Sequence, residues 1–149
     1  MSFERKGKDR QSQPEEPAVY QECESFLKKC NSLKEAKAEE LLKFVDEIGA
    51  HLAKTIGMSQ LRKVLDSFDK IKSAVRTRKE GISVGEEIQP LKIHLAYAAG
   101  RESALKPLHK VLSVAIDKVQ DREDFRKFSQ FIEGLVAYHK FHGGKEERR

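Results

Sequence analysis

The chain has 149 residues, of which 38% are hydrophobic and 36% are charged, and its 29 lysines and arginines exceed its 24 acidic residues by five. This length predicts one domain whose core needs no disulfide or metal to hold it together. No apolar run approaches the roughly 20 residues that a membrane helix needs, so we expect no transmembrane segment and no membrane partner. The first ten residues lack the apolar region of a secretory signal, which predicts a cytoplasmic location.

Both ends of the chain differ from its centre in composition. Residues 1–19 are polar, contain Pro14 and Pro17, and carry balanced charges, which predicts a disordered leader. Residues 145–149 form a charged tail after a glycine pair. Residues 20–144 repeat apolar side chains every three or four positions, a spacing typical of amphipathic helices. The sequence therefore predicts an all-α fold, a single compact bundle of about five to six helices.

The first three predicted helices occupy the N-terminal half of this domain. The first begins near Tyr20 and stops around Asn31, and Ser32 is a plausible N-cap for a second, longer helix that ends at Gly57. Ser59 is the predicted N-cap of the third helix, which has the cleanest amphipathic pattern in the chain. Its apolar face consists of Leu61, Val64, Leu65, Phe68, Ile71 and Val75.

The C-terminal half contains three more predicted helices after a loop at residues 78–85. The fourth helix, about residues 86–99, is apolar nearly all round, so we expect it in the middle of the bundle, with Gly100 as its C-cap. Pro107 suits the first turn of the fifth helix, and Asp121 caps the sixth, which runs to the end of the domain.

Residues with catalytic or metal-binding potential are few. The sequence has no nucleophile motif, phosphate-binding loop or dinucleotide fingerprint, so we predict neither an enzyme nor a cofactor. Cys23 and Cys30 are seven residues apart, about 10.5 Å of rise on a helix, which is too far for a disulfide and predicts free thiols. His139 lies on the apolar side of the sixth helix, where a hydrogen-bonded structural role is expected.

Positive charge is concentrated in the third helix and its exit. Residues 59–80 carry a net charge of +4. Cations of this kind bind nucleic-acid phosphates, yet Arg62 with Asp66, and Asp66 with Lys70, are also i, i+4 pairs that any solvated helix can contain. Composition alone leaves both interpretations open.

Two further cations lie within, or directly after, a mostly apolar stretch of sequence. Lys92 lies within the fourth helix, and Arg101 comes directly after its Ala-Ala-Gly end. A charge placed there costs desolvation unless it reaches solvent or meets an anion. Arg101 has a simpler alternative, a favourable interaction with the C-terminal end of the helix dipole.

A helix-turn-helix is the DNA-binding alternative. Ala53, Gly57 and Ser59 imitate the turn of that motif, but the position expected to be buried, six residues after the glycine, is Lys63. A helical protein-interaction module without any RNA role is the other alternative.

Four stretches of the chain carry a family resemblance, and together they cover most of residues 33–144. They are residues 59–63 (SQLRK), 91–101 (LKIHLAYAAGR), 105–108 (LKPL) and 124–144, which begins with DF and ends with VAYHKFHGG. With them the chain resembles the small, all-helical subunit of type III-A CRISPR effector complexes, the Csm family. The stretch at 91–101 is the most specific.

This resemblance implies a non-catalytic subunit whose copies form an inner filament along guide RNA and its paired target RNA. Its other partners would be the large subunit and the backbone subunits, which carry the enzymatic activities. The resemblance assigns contacts with the RNA backbone to Arg62, Lys63, Lys92 and Arg101. Charge and proximity to the motifs add Arg76, Arg78, Lys106 and Lys140.

Overall fold

The computed structural model describes residues 16–78 and 81–146, and every regular element in them is helical. Six helices have eleven residues or more, and a five-residue helix and two 3₁₀ turns connect them. No helix in these ranges is long and apolar enough to cross a membrane. The all-α prediction is confirmed. The α-helices are α1 (Ala18–Lys29), α2 (Ala38–Thr55), α3 (Met58–Arg76), α4 (Val84–Ile88), α5 (Leu91–Arg101), α6 (Lys106–Asp117) and α7 (Arg122–Phe141).

The helix starts at α2 and α3 differ from the predicted ones. Ser32 caps neither: it precedes a 3₁₀ turn, Leu33–Glu35, its side chain makes no cap hydrogen bond, and α2 begins only at Ala38. Ser59 is not the N-cap of α3, because Gly57 occupies that position and donates its N–H to the side-chain oxygen of Gln60 at 3.0 Å. The predicted position of Pro107 in the first turn of α6 and the predicted N-cap of α7, Asp121, are confirmed.

The predicted fourth helix is two helices, and its central placement is wrong. Pro90 lacks the N–H that would continue the helix, so α4 ends at Ile88 and α5 begins at Leu91. Ser83, whose hydroxyl accepts from the backbone N–H of Glu86, starts α4 inside the predicted loop. Only one side of α5 is buried, and the helix ends at Arg101, with Gly100 inside it instead of capping it.

The core is one continuous cluster in which aromatic rings from two helices meet. Phe68 of α3 lies with its ring centroid 5.5 Å from those of Phe125 and Phe128 of α7. Beside this cluster α2 packs along α7 so closely that a side chain at Gly49 would come within 2.6 Å of Tyr138. α7 is therefore held against both α2 and α3.

The end of the domain is tied to the start of α3. The carbonyls of residues 145 and 146, the first of the predicted charged tail, accept the N–H groups of Met58 and Ser59. Beneath them His139 is fully buried, and its Nε2 donates to the carbonyl of Ile56 at 2.9 Å, which confirms its structural role. Residues 147–149 of the predicted tail, and 1–15 of the predicted leader, lie outside the described residues.

One further polar contact joins the two N-terminal helices, α1 and α2. Tyr20 of α1 lies with its hydroxyl 2.7 Å from Nδ1 of His51 on α2. Burial raises the pKa of the Tyr20 phenol and lowers the pKa of His51, so at neutral pH the hydroxyl donates to a neutral imidazole.

Cys23 and Cys30 are free, as predicted, and burial raises the pKa of Cys23 to about 12.

Candidate nucleic-acid interface

The predicted cations at the start of α3 lie on its two flanks. Because successive residues of an α-helix differ by about 100° in direction, Arg62 and Lys63 point toward different neighbouring helices. Arg62 faces α7 and Lys63 faces α5, the two helices against which α3 packs. A cleft lies between α3 and each of these two helices. Each cleft contains a second predicted cation, Arg101 in one and Lys140 in the other.

The cleft between α3 and α5 has a volume of about 410 Å³. Lys63 and Arg101 stand on opposite walls of it, and Tyr97 and His94 of α5 line it as well. The side chains of Asp66 and Glu102 are also part of the lining. This cleft therefore combines two cations, two carboxylates and an aromatic ring, and we call it the α3–α5 cleft.

The cleft between α3 and α7 has a volume of about 270 Å³ and joins Arg62 to Lys140. Its apolar lining comes from Met58, Leu65 and Val136. Together the two clefts place four predicted cations across one side of α3. We call this set the basic row: Lys140, Arg62, Lys63 and Arg101.

None of the four cations of the basic row is neutralised by a partner in the described ranges. Within residues 16–78 and 81–146, no carboxylate lies at ion-pair distance from any of them. Among the described residues, the one side chain that accepts a hydrogen bond from the Arg101 guanidinium is Tyr97, whose hydroxyl lies 3.4 Å away. All four are exposed, so their charge is available to an anion in solution.

The structure does not bring the other four predicted residues into this row. Lys92 makes an ion pair of 2.6 Å with Asp117 of α6, and Arg78 donates to the carbonyls of Val75 and Ile82. Burial alone would raise the pKa of Asp117, but hydrogen bonds from Lys92 and a neighbouring amide lower it. Arg76 and Lys106 are exposed at helix ends.

Sequence reasoning missed Tyr97 as a surface residue. The apolar pattern of its helix predicted burial on every side, whereas 67% of its surface is exposed. Only the positions of Leu91, Leu95 and Ala99 are buried, which is one stripe of the helix. Tyr97 does not lie on this stripe, so the i, i+4 spacing of the buried positions predicts that its side chain is outside the core.

Comparison with known proteins gives two matches. The family described as Csm2 Type III-A matches residues 35–145, a range that contains the whole basic row. A protein of Streptococcus thermophilus described as "CRISPR system Cms protein Csm2" is 33% identical over 114 residues, which cover 74% of this chain and 91% of that protein.

Proposed function

The chain belongs to the Csm2 family of type III-A CRISPR systems, and on that premise we propose that it binds RNA as a structural, non-catalytic subunit of a type III-A effector complex. Copies of it would line guide RNA and its paired target as an inner filament. It would hold the RNA through its phosphates, and guide pairing would supply the sequence specificity.

The observation that supports this proposal is the basic row. Its cations come from three helices, so tertiary packing and not one loop sets their spacing. Each unpaired lysine or arginine that reaches a phosphate releases condensed counterions, a contribution that does not depend on base sequence. Arginine can also place two parallel donors on one phosphate, which favours Arg62 and Arg101 as the stronger contacts.

Exposed apolar side chains support contacts with other subunits of the complex. Leu42, Ile93 and Phe141 are 53%, 71% and 75% exposed and come from three different helices. Burying such a side chain against another subunit would remove its apolar surface from water, which stabilises the contact. A subunit that joins copies of itself, the large subunit and backbone subunits needs more than one such surface.

The test is RNA binding by an Arg62→Ala variant, measured by filter binding over a range of salt concentrations. Two unrelated RNA sequences are used, and Lys43→Ala, which removes an exposed lysine of α2, is the matched control. We expect Arg62→Ala to weaken both RNAs to the same extent and to reduce the slope of log affinity against log salt by about 0.7–0.9. Loss of one sequence with retention of the other would contradict the proposal.

A further inference from the structure

The α3–α5 cleft has the features of a nucleotide site, an assignment that rests on the RNA-binding role proposed above. We propose that it receives one unpaired nucleobase of the bound RNA, stacked on the ring of Tyr97, with the flanking phosphate on Lys63 and Arg101. The cleft would then contribute affinity that phosphate contacts alone do not provide.

The cleft is concave and has an apolar floor, so it suits a nucleobase better than it suits the phosphate backbone alone. Its volume of about 410 Å³ falls within the roughly 300–1,000 Å³ of small-ligand pockets. Its floor is apolar and buried, formed by Val64, Leu95 and Leu105. Polar and charged side chains stand at the rim, and this combination suits a planar ring with polar edges.

Tyr97 supplies a stacking surface that the fold does not use. Its ring is two-thirds exposed, and the guanidinium carbon of Arg101 lies 5.9 Å from the ring centroid. A long hydrogen bond of 3.4 Å from Arg101 to the hydroxyl places the guanidinium beside the ring, where a phosphate that flanks a stacked base could meet it. Base stacking on an aromatic ring tolerates any sequence, which agrees with recognition that leaves specificity to guide pairing.

The charges of the cleft favour a base over a phosphate as its occupant. Two carboxylates, Asp66 and Glu102, line this cleft but form no ion pair with its two cations among the described residues. The α3–α7 cleft also has two cations but only one carboxylate, Glu146, so the α3–α5 cleft is the less positive of the two. The edge of a base presents both donors and acceptors, and Asp66 and Ser67 can meet them. Neither side chain has a hydrogen-bond partner elsewhere among residues 16–78 and 81–146.

The experiment compares two RNAs that differ only in their bases. An octamer of uridine and an abasic octamer with the same ribose-phosphate backbone are titrated into the full chain, and binding is measured by filter retention. The chain contains no tryptophan and three tyrosines, so quenching of tyrosine fluorescence gives a second readout of stacking. The variants are Tyr97→Leu, Tyr97→Phe, which keeps an aromatic ring, and Arg62→Ala.

We expect the wild-type chain to bind the uridine octamer roughly tenfold or more tightly than the abasic octamer. Tyr97→Leu should remove this preference, Tyr97→Phe should keep it, and Arg62→Ala should weaken both RNAs equally. A Tyr97→Leu variant with an unchanged melting temperature, as expected for an exposed side chain, excludes a folding defect.

Three outcomes would overturn the inference. Equal binding of the two octamers by the wild-type chain would refute the base site and leave the phosphate role intact. An unchanged preference in Tyr97→Leu, together with its failure to join the complex, would assign this face to a protein partner. Failure of the chain to bind either octamer would refute the proposed function itself.

Discussion

The carboxylate of Asp124 offers a sharp test of how α7 is anchored. It is fully buried and accepts three backbone N–H groups, from Lys34 at 2.7 Å on one oxygen and from Gln120 and Asp121 at 2.9 and 3.3 Å on the other. These bonds join the start of α7 to the 3₁₀ turn that follows α1. The perturbation is Asp124→Asn, which keeps the shape of the side chain and removes one of the two acceptor oxygens.

The single side-chain oxygen of asparagine can accept either the N–H of Lys34 or those of Gln120 and Asp121, but not both. If its oxygen keeps Gln120 and Asp121, its amide group faces the N–H of Lys34, and that buried donor loses its partner. A hydrogen bond to a charged group contributes about 1.5–3 kcal/mol, and an unsatisfied buried donor costs about 1–3 kcal/mol, two terms that partly overlap. We expect the free energy of unfolding to fall by about 3 kcal/mol.

The assay is urea unfolding followed by circular dichroism, with a thermal melt beside it. For a domain of this size, a loss of about 3 kcal/mol corresponds to a melting temperature lower by about 10 °C. Glu123→Gln removes the same charge from an exposed neighbour and is the matched control, expected to change stability little. A loss below about 1 kcal/mol in Asp124→Asn, equal to that of the control, would refute the reasoning.

Three further predictions concern stability. Burial lowers the pKa of His51 below its usual 6.5, so the unfolded chain takes up the proton first and the free energy of unfolding falls as the pH drops through 6.5. Urea titrations at about pH 7.5 and 5.5 should show this fall, smaller in His51→Gln; an equal fall in both would contradict it. Gly144→Ala places a methyl group against the buried ring of His139 and should lower the melting temperature, whereas an unchanged melt would show that the segment moves aside. Phe68→Ala should cost about 3–5 kcal/mol in urea unfolding, and a cost below about 1 kcal/mol would mean that its ring cluster is not part of the core.

The helices were predictable from the sequence because apolar spacing of three and four residues reflects burial directly. Their starts were less predictable where tertiary partners decide them. Ser59 is a good local N-cap, yet the N-cap of α3 is Gly57, two residues earlier. The first N–H groups of the helix, those of Met58 and Ser59, donate to the carbonyls of residues 145 and 146. Asp121 was predicted correctly because its cap is local: its carboxylate accepts the N–H of Asp124 at 3.0 Å.

The burial of α5 was mispredicted for a physical reason. Its apolar residues occupy every side of the helix, but α3 and α6 cover only part of it. The sequence shows which residues tolerate burial, and the number of helices that surround α5 decides which are buried. Tyr97 and Ile93 therefore face solvent.

For the candidate interface, the sequence predicts how the two cations of α3 are oriented but not which cations of other helices lie beside them. The different directions of Arg62 and Lys63 follow from helix geometry alone. Their association with Lys140 and Arg101 does not, because it depends on which helices flank α3. The pairing of Lys92 with Asp117, 25 residues away, is a tertiary contact of the same kind.

The most direct measurement is the salt dependence of RNA binding after the whole basic row is replaced by alanine. A control variant replaces four other exposed lysines instead, at positions Lys29, Lys37, Lys43 and Lys54. We predict that the slope of log affinity against log salt falls by about 3 when the row is removed and changes little in the control. Equal slopes in the wild-type chain and the row variant would contradict the proposal that these cations hold the RNA.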